Sequence, residues 1–156
     1  MENAKTLWGE GVIRRVLVLL VMLLGVAGLS ACQKEPPEER LRARLGEMQT
    51  AAVERRPDIF MEGVADDFTG NDGMDRVALH NLLRAQVLLN TRIGATTGPL
   101  DISLNGDRAT VRFSLVLTGG SGRLLPEHAQ TYRIKSGWRE EDGAWHLYYA
   151  EWEPGI

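Results

Sequence analysis

The side chains best suited to proton transfer in this 156-residue chain are a histidine and two neighbouring aspartates, His80, Asp66 and Asp67. General acid–base catalysis needs such groups inside a pocket, with a donor nearby to stabilise developing charge. The two aspartates precede Phe68 at a predicted helix end, where carboxylates are commonly solvated or form hydrogen bonds with the backbone of the following loop. His80 lies one position off the apolar pattern of its helix. His80 and Asp66 are therefore catalytic candidates only, and the sequence leaves open whether the protein is an enzyme.

A second set of residues combines aromatic rings with arginines near the C-terminus. Side chains alternate between the two faces of a strand, so every second residue from His146 is predicted to share one face. Aromatic residues and arginine are typical of protein interfaces. The alternative is a sheet face that is covered only by its own long side chains. The predicted partner-binding surface comprises Arg112, Arg133, His146, Tyr148 and Trp152.

The single cysteine, Cys32, follows a predicted export signal. Arg14 and Arg15 precede the apolar run 16–29, which is the order of charged and apolar regions in a signal peptide. The uninterrupted stretch to residue 31 is 16 residues long, fewer than the roughly 20 of a membrane-spanning helix. The residues at its end resemble the lipobox of bacterial lipoproteins, and they are Leu29-Ser30-Ala31-Cys32.

This resemblance implies that Cys32 is acylated and that residues 1–31 are a cleaved signal peptide. Several acyl chains would hold the protein on its membrane stably. Gln33 stands where lipoproteins of the inner membrane often carry Asp, which favours the outer membrane of a bacterial cell envelope, facing the periplasm. Residues 32–37 include Pro36 and Pro37 and form a short, extended tether, so we expect the domain, residues 38–156, to lie close to the membrane.

Composition limits what the exported part can be. Without residues 1–31 the chain has 125 residues, which is the usual size of one domain. It carries 15 basic and 19 acidic side chains, a net charge of −4, which argues against a nucleic-acid partner. One cysteine cannot form an internal disulfide, and no zinc-ligand spacing is present. The glycine run 119–122 lacks the residues of a phosphate-binding loop, so we predict no cofactor.

The first half of this domain has helical periodicity. Apolar residues recur at helical spacing in three segments, with a restart at Pro57-Asp58, where Pro57 interrupts the first helix and Asp58 serves as N-cap of the second. The third segment is predicted to bury a stripe made of Ala78, Leu82, Ala85 and Leu89. The predicted helices are residues 38–56, 59–68 and 74–91.

The second half alternates with a period of two. Turn residues at Asn105-Gly106-Asp107 and Glu141-Asp142-Gly143 separate the strands, which are predicted at residues 100–104, 109–118, 128–139 and 144–153. Helices followed by antiparallel strands predict an α+β domain, with three N-terminal helices packed on a curved antiparallel sheet of about four strands.

This order of elements resembles the nuclear transport factor 2-like superfamily, also called the SnoaL-like or cystatin-like cone. The residues that carry the resemblance are Pro57-Asp58, the helix end Ala65-Asp66-Asp67-Phe68, Asp75-Arg76, the strand Gly106-Asp107-Arg108-Ala109-Thr110-Val111 and the closing hairpin Trp138 to Leu147. The resemblance covers nearly all of the exported chain. It implies a pocket between the helices and the concave sheet, and members include isomerases, dehydratases and cyclases as well as binding proteins.

Two departures from the enzymes of this superfamily bear on function. The isomerases use a tyrosine on the first helix, and the first helix here has none. The residues predicted to face the cone are apolar throughout, namely Ala109, Val111, Phe113, Leu115 and Leu117. We therefore expect a noncatalytic binding module for an envelope protein or for a second copy. Two alternatives are a small-ligand carrier or isomerase/dehydratase-type enzyme using the cone, and an immunity-type inhibitor lipoprotein.

Overall fold

The computed structural model describes residues 35–121 and 128–155, and the compact unit within the chain spans Pro36–Ile156. Cys32 and the predicted signal peptide lie outside the described residues. Among those described, no helix is long and apolar enough to cross a membrane. The elements in chain order are helices α1 (Pro37–Val53) and α2 (Pro57–Met61), strand β1 (Val64–Thr69), a 3-10 turn (Asn71–Gly73), helix α3 (Arg76–Leu89), and strands β2 (Arg92–Thr97), β3 (Asp101–Asn105), β4 (Arg108–Gly120), β5 (His128–Glu141) and β6 (Ala144–Pro154).

Local sequence explains where the helices begin. Pro37 and Pro57 each occupy the first turn of a helix, where the missing N–H is no loss. The carboxylate of Asp75 accepts a hydrogen bond from the backbone N–H of Ala78 at 2.7 Å and caps α3. The first and third predicted helices are thus confirmed within a few residues at each end.

The second predicted helix, residues 59–68, is wrong in its second half. Helix α2 ends at Met61, and β1 follows it and pairs in parallel with β6. Val64, Ala65 and Phe68 are buried there, so pairing and burial override the helical spacing of this segment. The guanidinium of Arg76 closes the junction by donating to the carbonyls of Met61 (3.0 Å) and Val64 (3.3 Å).

The sheet has six strands and is mixed, not four strands and antiparallel as predicted. Its order is β1-β6-β5-β4-β2, with β3 also paired to β4. The long strand β4 holds β3 along its first half and β2 along its second half. Strand β2 was not predicted, because Arg92–Thr97 contains a glycine and shows no clear alternation of apolar and polar residues. Asp142 and Gly143 both have positive φ, as a tight two-residue hairpin between β5 and β6 requires.

The core lies between α1 and the concave face of the sheet. Leu41 and Met48 of α1 are buried in one cluster with Val111, Trp138 and Trp145. The indole of Trp138 donates to the hydroxyl of Ser136 at 2.9 Å, and the indole of Trp145 donates to the carbonyl of Pro37 at 2.9 Å. Because both buried indoles have partners, the core carries no unsatisfied N–H from either ring. The cluster fastens the start of α1 to the β5–β6 hairpin.

The predicted buried stripe of α3 is wrong. Ala78, Leu82, Ala85 and Leu89 are all exposed, and α3 instead turns Leu79 and Leu83 toward the core. When a helix has apolar residues on more than one face, its tertiary contacts decide which face is buried. Helix α3 packs against α2 and β1, and several of its apolar side chains stay exposed, namely Val77, Leu82, Leu88 and Leu89.

Candidate functional site

A bulge in β6 determines which side chains reach the outer, convex face of the sheet. Trp138 pairs with Leu147, but the preceding Gly137 pairs with Tyr149, so Tyr148 is the extra residue. After the bulge the alternation reverses. Ala150 is buried and Trp152 packs against the core cluster, whereas Tyr149 turns outward. The prediction that Trp152 shares a face with His146 and Tyr148 is therefore wrong.

Tyr148 lies over Gly137 between two arginines on this outer face. A Cβ atom at position 137 would come within 2.9 Å of the Tyr148 ring, so the glycine provides the space for it. The guanidinium carbons of Arg108 and Arg139 lie 5.3 and 5.8 Å from the ring centroid, within the range of cation–π contacts. His146 is the register partner of Arg139. We call Arg108, Arg139, His146 and Tyr148 the tyrosine–arginine site.

Arg139 is held in place by two carboxylates. It donates two hydrogen bonds of 2.8 Å to Asp67 of β1 and one of 2.6 Å to Glu141. The hydrogen bond from Arg139 lowers the pKa of Asp67 below its ordinary value, and the same bond raises the pKa of Arg139. A bidentate pair fixes the plane of the guanidinium, so the position of Arg139 beside Tyr148 is defined.

Further ion pairs lie on the outer face. Lys135 pairs with Glu151 at 3.1 Å and Arg133 with Glu153 at 3.3 Å, while Arg112 lies 4.0 Å from Asp101. The hydroxyl of Tyr149 donates to Glu151, which lowers the pKa of that carboxylate and raises the pKa of Tyr149. The predicted residues Arg112 and Arg133 thus lie on the outer face, each beside an acidic group. Arg108 differs because it forms no salt bridge among the described residues, although its charge contributes to lowering the pKa of Asp67.

On the concave side an open depression of about 510 Å³ lies beside Trp152. Its apolar wall comes from Met74, Ala78 and Leu82, and the 3-10 turn forms its rim. The side-chain amide of Asn71 holds that rim against β6. It donates to the backbone carbonyl of Trp152 at 2.7 Å and accepts from the backbone N–H of Trp152 at 3.1 Å.

The two catalytic candidates are not brought together. His80 lies 2.9 Å from Asp58 of α2, and Asp66 is fully exposed with Arg76 3.7 Å away. Neither side chain lines the depression beside Trp152. Within residues 35–121 and 128–155, no three histidine, cysteine, aspartate or glutamate side chains cluster closely enough to hold a metal ion.

The sequence did not predict two residues of the tyrosine–arginine site, Arg108 and Arg139, nor the position of Asp67 on the outer face. Asp67 was assigned to a helix end, and it meets Arg139 only because β1 pairs with β6, which no local pattern shows. Gly137 was the available signal, since an isolated glycine in a strand pattern indicates a bulge or a close approach of another group.

No family model and no curated protein matches the chain. Solved structures do. Bd1075 of Bdellovibrio bacteriovorus has a TM-score of 0.67 at 10% identity over 75% of this chain, which spans only 41% of that protein. A candidate scytalone dehydratase from Novosphingobium aromaticivorans has a TM-score of 0.68 at 13% identity, covering 76% of this chain and 84% of that one. A nuclear transport factor 2-like protein of unknown function from Pseudomonas putida has a TM-score of 0.65 at 17% identity, covering 76% and 87%.

The domain has a nuclear transport factor 2-like, cystatin-like fold. At these identities the likeness extends to the fold alone, because proteins that share this fold differ in the residues of their sites. The fold expectation is thereby confirmed, with six strands instead of four.

Proposed function

We propose that the protein is a lipid-anchored lipoprotein of the bacterial envelope whose domain is a noncatalytic module that binds a protein partner through the outer face of its sheet. The observation that carries the proposal is the tyrosine–arginine site, where Tyr148 lies on an exposed sheet face between two arginines. Tyrosine and arginine are enriched among the few residues that dominate the binding energy of protein interfaces. Arg108 supports the proposal further, because it forms no salt bridge among the described residues and acts on Asp67 only at longer range, so its guanidinium can still pair with a carboxylate of another protein.

The partner surface is tested by recovery of bound protein from gently solubilised membranes. Tyr148→Ala should lower recovery about tenfold or more, since truncation of a central interface residue costs about 2 kcal/mol or more. Tyr148→Phe keeps the aromatic ring, so this variant should retain most of the recovery of bound protein. Tyr132→Ala is the matched control, because Tyr132 pairs with Leu115 and therefore lies on the concave face of β5. Native-like circular dichroism of all three variants together with equal recovery would overturn the proposal.

The anchor has its own test. The intact mass of the mature chain should correspond to a protein that begins at Cys32 and carries acyl chains, and Cys32→Ala should leave the mass unacylated and release the protein from the membrane fraction. A native chain with a free Cys32 thiol or an uncleaved signal would contradict lipid anchoring. That outcome leaves the test of Tyr148 unaffected.

A small-ligand carrier is the second candidate function, and the open depression beside Trp152 favours it. An apolar wall that ends in an indole suits a small apolar or aromatic molecule. Native mass spectrometry separates the two functions. A stoichiometric adduct that is lost in Leu82→Gln supports the carrier, whereas a bound protein that is lost in Tyr148→Ala supports the partner surface.

A further inference from the structure

The C-terminal half of α3 presents the most exposed large apolar side chains of the described domain. Leu88 and Leu89 are 86% and 77% exposed, and Val53 at the end of α1 is 40% exposed. The side chain of Arg55 donates to the carbonyl of Val87 at 2.8 Å, which places the end of α1 beside the end of α3. We call Val53, Arg55, Arg84, Leu88, Leu89 and Arg92 the α3 tip.

The charge of the α3 tip is positive, in contrast to the net −4 of the exported chain. No aspartate or glutamate occurs from Arg76 to Arg92. Arg55, Arg84 and Arg92 have no carboxylate partner in the part of the chain that the structure describes. The nearest acid in sequence, Glu54, is paired with Arg56 at 2.9 Å. Exposed leucines near arginines that lack a carboxylate partner match the two requirements of a membrane-surface contact, which are apolar area to bury and cations for anionic headgroups.

We propose that the α3 tip docks on an anionic phospholipid surface, with Leu88 and Leu89 inserted at the level of the headgroups. The contact is independent of the lipid anchor, but the two are geometrically compatible. The 17 residues of α1 span about 25 Å, with the tether entering at Pro37 and the α3 tip at the other end. An anchored chain that also inserts the tip would lie with α1 along the bilayer. The outer face of the sheet, on the other side from α1, would then point away from the membrane.

The test uses the full chain in vesicles containing phosphatidylglycerol, with an environment-sensitive fluorophore attached to Leu88→Cys. Shallow nitroxide-labelled lipids should quench this label about threefold or more strongly than the same label on Val116→Cys, an exposed position on the outer face of β4. Leu89→Cys should behave like Leu88→Cys, and both positions are exposed enough for the fold to tolerate the change. The wild-type chain is treated with the same fluorophore as a control. Labelling of Cys32 in this control would show that Cys32 is not acylated, so a failure of the lipid anchor is recognised separately from a failure of the α3 tip.

Charge is tested in the same vesicles. Arg84→Gln should reduce the ratio of membrane-inserted to free α3 tip about fivefold. Insertion should also be weaker in vesicles made of phosphatidylcholine alone. Equal quenching at positions 88 and 116 in anionic vesicles would overturn the proposal. The proposal would also be overturned if the Leu88→Cys label were shielded only after membrane proteins are added and not by lipid alone. That result would indicate that the α3 tip contacts a protein and not the bilayer.

Discussion

Tyr148 reverses the faces of all residues that follow it in β6. As the unpaired residue of a bulge, it puts Trp152 on the concave side and Tyr149 on the convex side. Its own ring occupies the space above Gly137, and Arg139 is held beside it by Asp67. A single residue thus divides aromatic side chains that look like one set in the sequence between the outer and the concave face of the sheet.

At the same scale, the Asp67–Arg139 pair should make stability depend on acid. Since its pKa is lowered in the folded state, ionised Asp67 stabilises the fold above its ordinary pKa of 3.8, and this contribution disappears as the pH falls through the folded value. Urea denaturation should therefore show Asp67→Asn less stable than wild type at neutral pH, with the difference shrinking below pH 3.8. Asp66→Asn, at the exposed neighbouring position, is the control. Equal behaviour of the two variants would contradict a specific role for Asp67.

The elements differ in how firmly their sequences specify them. Helix α1 begins at a proline, buries Leu41 and Met48, and matches its prediction closely. Strands β1 and β2 are short edge strands with weak patterns, and they exist because β6 and β4 offer them hydrogen-bonding partners. The long antiparallel strands β4, β5 and β6 were predictable because their alternation extends over many residues.

Two glycine replacements should shift element stability in opposite directions. Gly46 lies in α1, and an added methyl group there would have no neighbouring atom within 4 Å, so Gly46→Ala should raise the free energy of unfolding by about 0.5–1 kcal/mol. Gly137→Ala would force the new methyl group against the Tyr148 ring, and we expect it to lower that free energy by about 1–3 kcal/mol. Chemical denaturation of both variants measures the two changes. A neutral Gly137→Ala would mean that the ring is not confined to this place.

In the whole molecule, one layer of helices and one mixed sheet share a single core. Leu41 of α1 is fully buried in the same cluster as Val111 and Trp138 of the sheet. The outer sheet face and the α3 tip lie outside this cluster, so both surfaces are open to substitution without loss of the core. The proposed partner surface and the proposed membrane contact both depend on this separation of stability from recognition.

Because the core is shared, we expect helices and sheet to unfold together. Leu41→Ala should lower the free energy of unfolding by about 2–5 kcal/mol, and far-UV circular dichroism and tryptophan emission should report the same midpoint in urea. Leu88→Ala, at an exposed position, should change the free energy by no more than about 0.5 kcal/mol. Separate midpoints for the two signals would show that α1 unfolds independently of the sheet.

The amino-acid sequence predicted the α+β class, the order of helices before the long strands, and the inward face of β4, because each depends on patterns within a few residues. It also supplied the lipobox at Cys32, which stays a prediction since the described residues begin at position 35. The parallel pairing of β1, the bulge at Tyr148 and the exposed side of α3 depend on contacts between distant segments. Asp67 and Arg139 are 72 residues apart, and Tyr148 and Trp152 separate only when β5 sets the register of β6. Local alternation carries no information about such pairings, so only the tertiary structure shows which side chains share the outer face of the sheet.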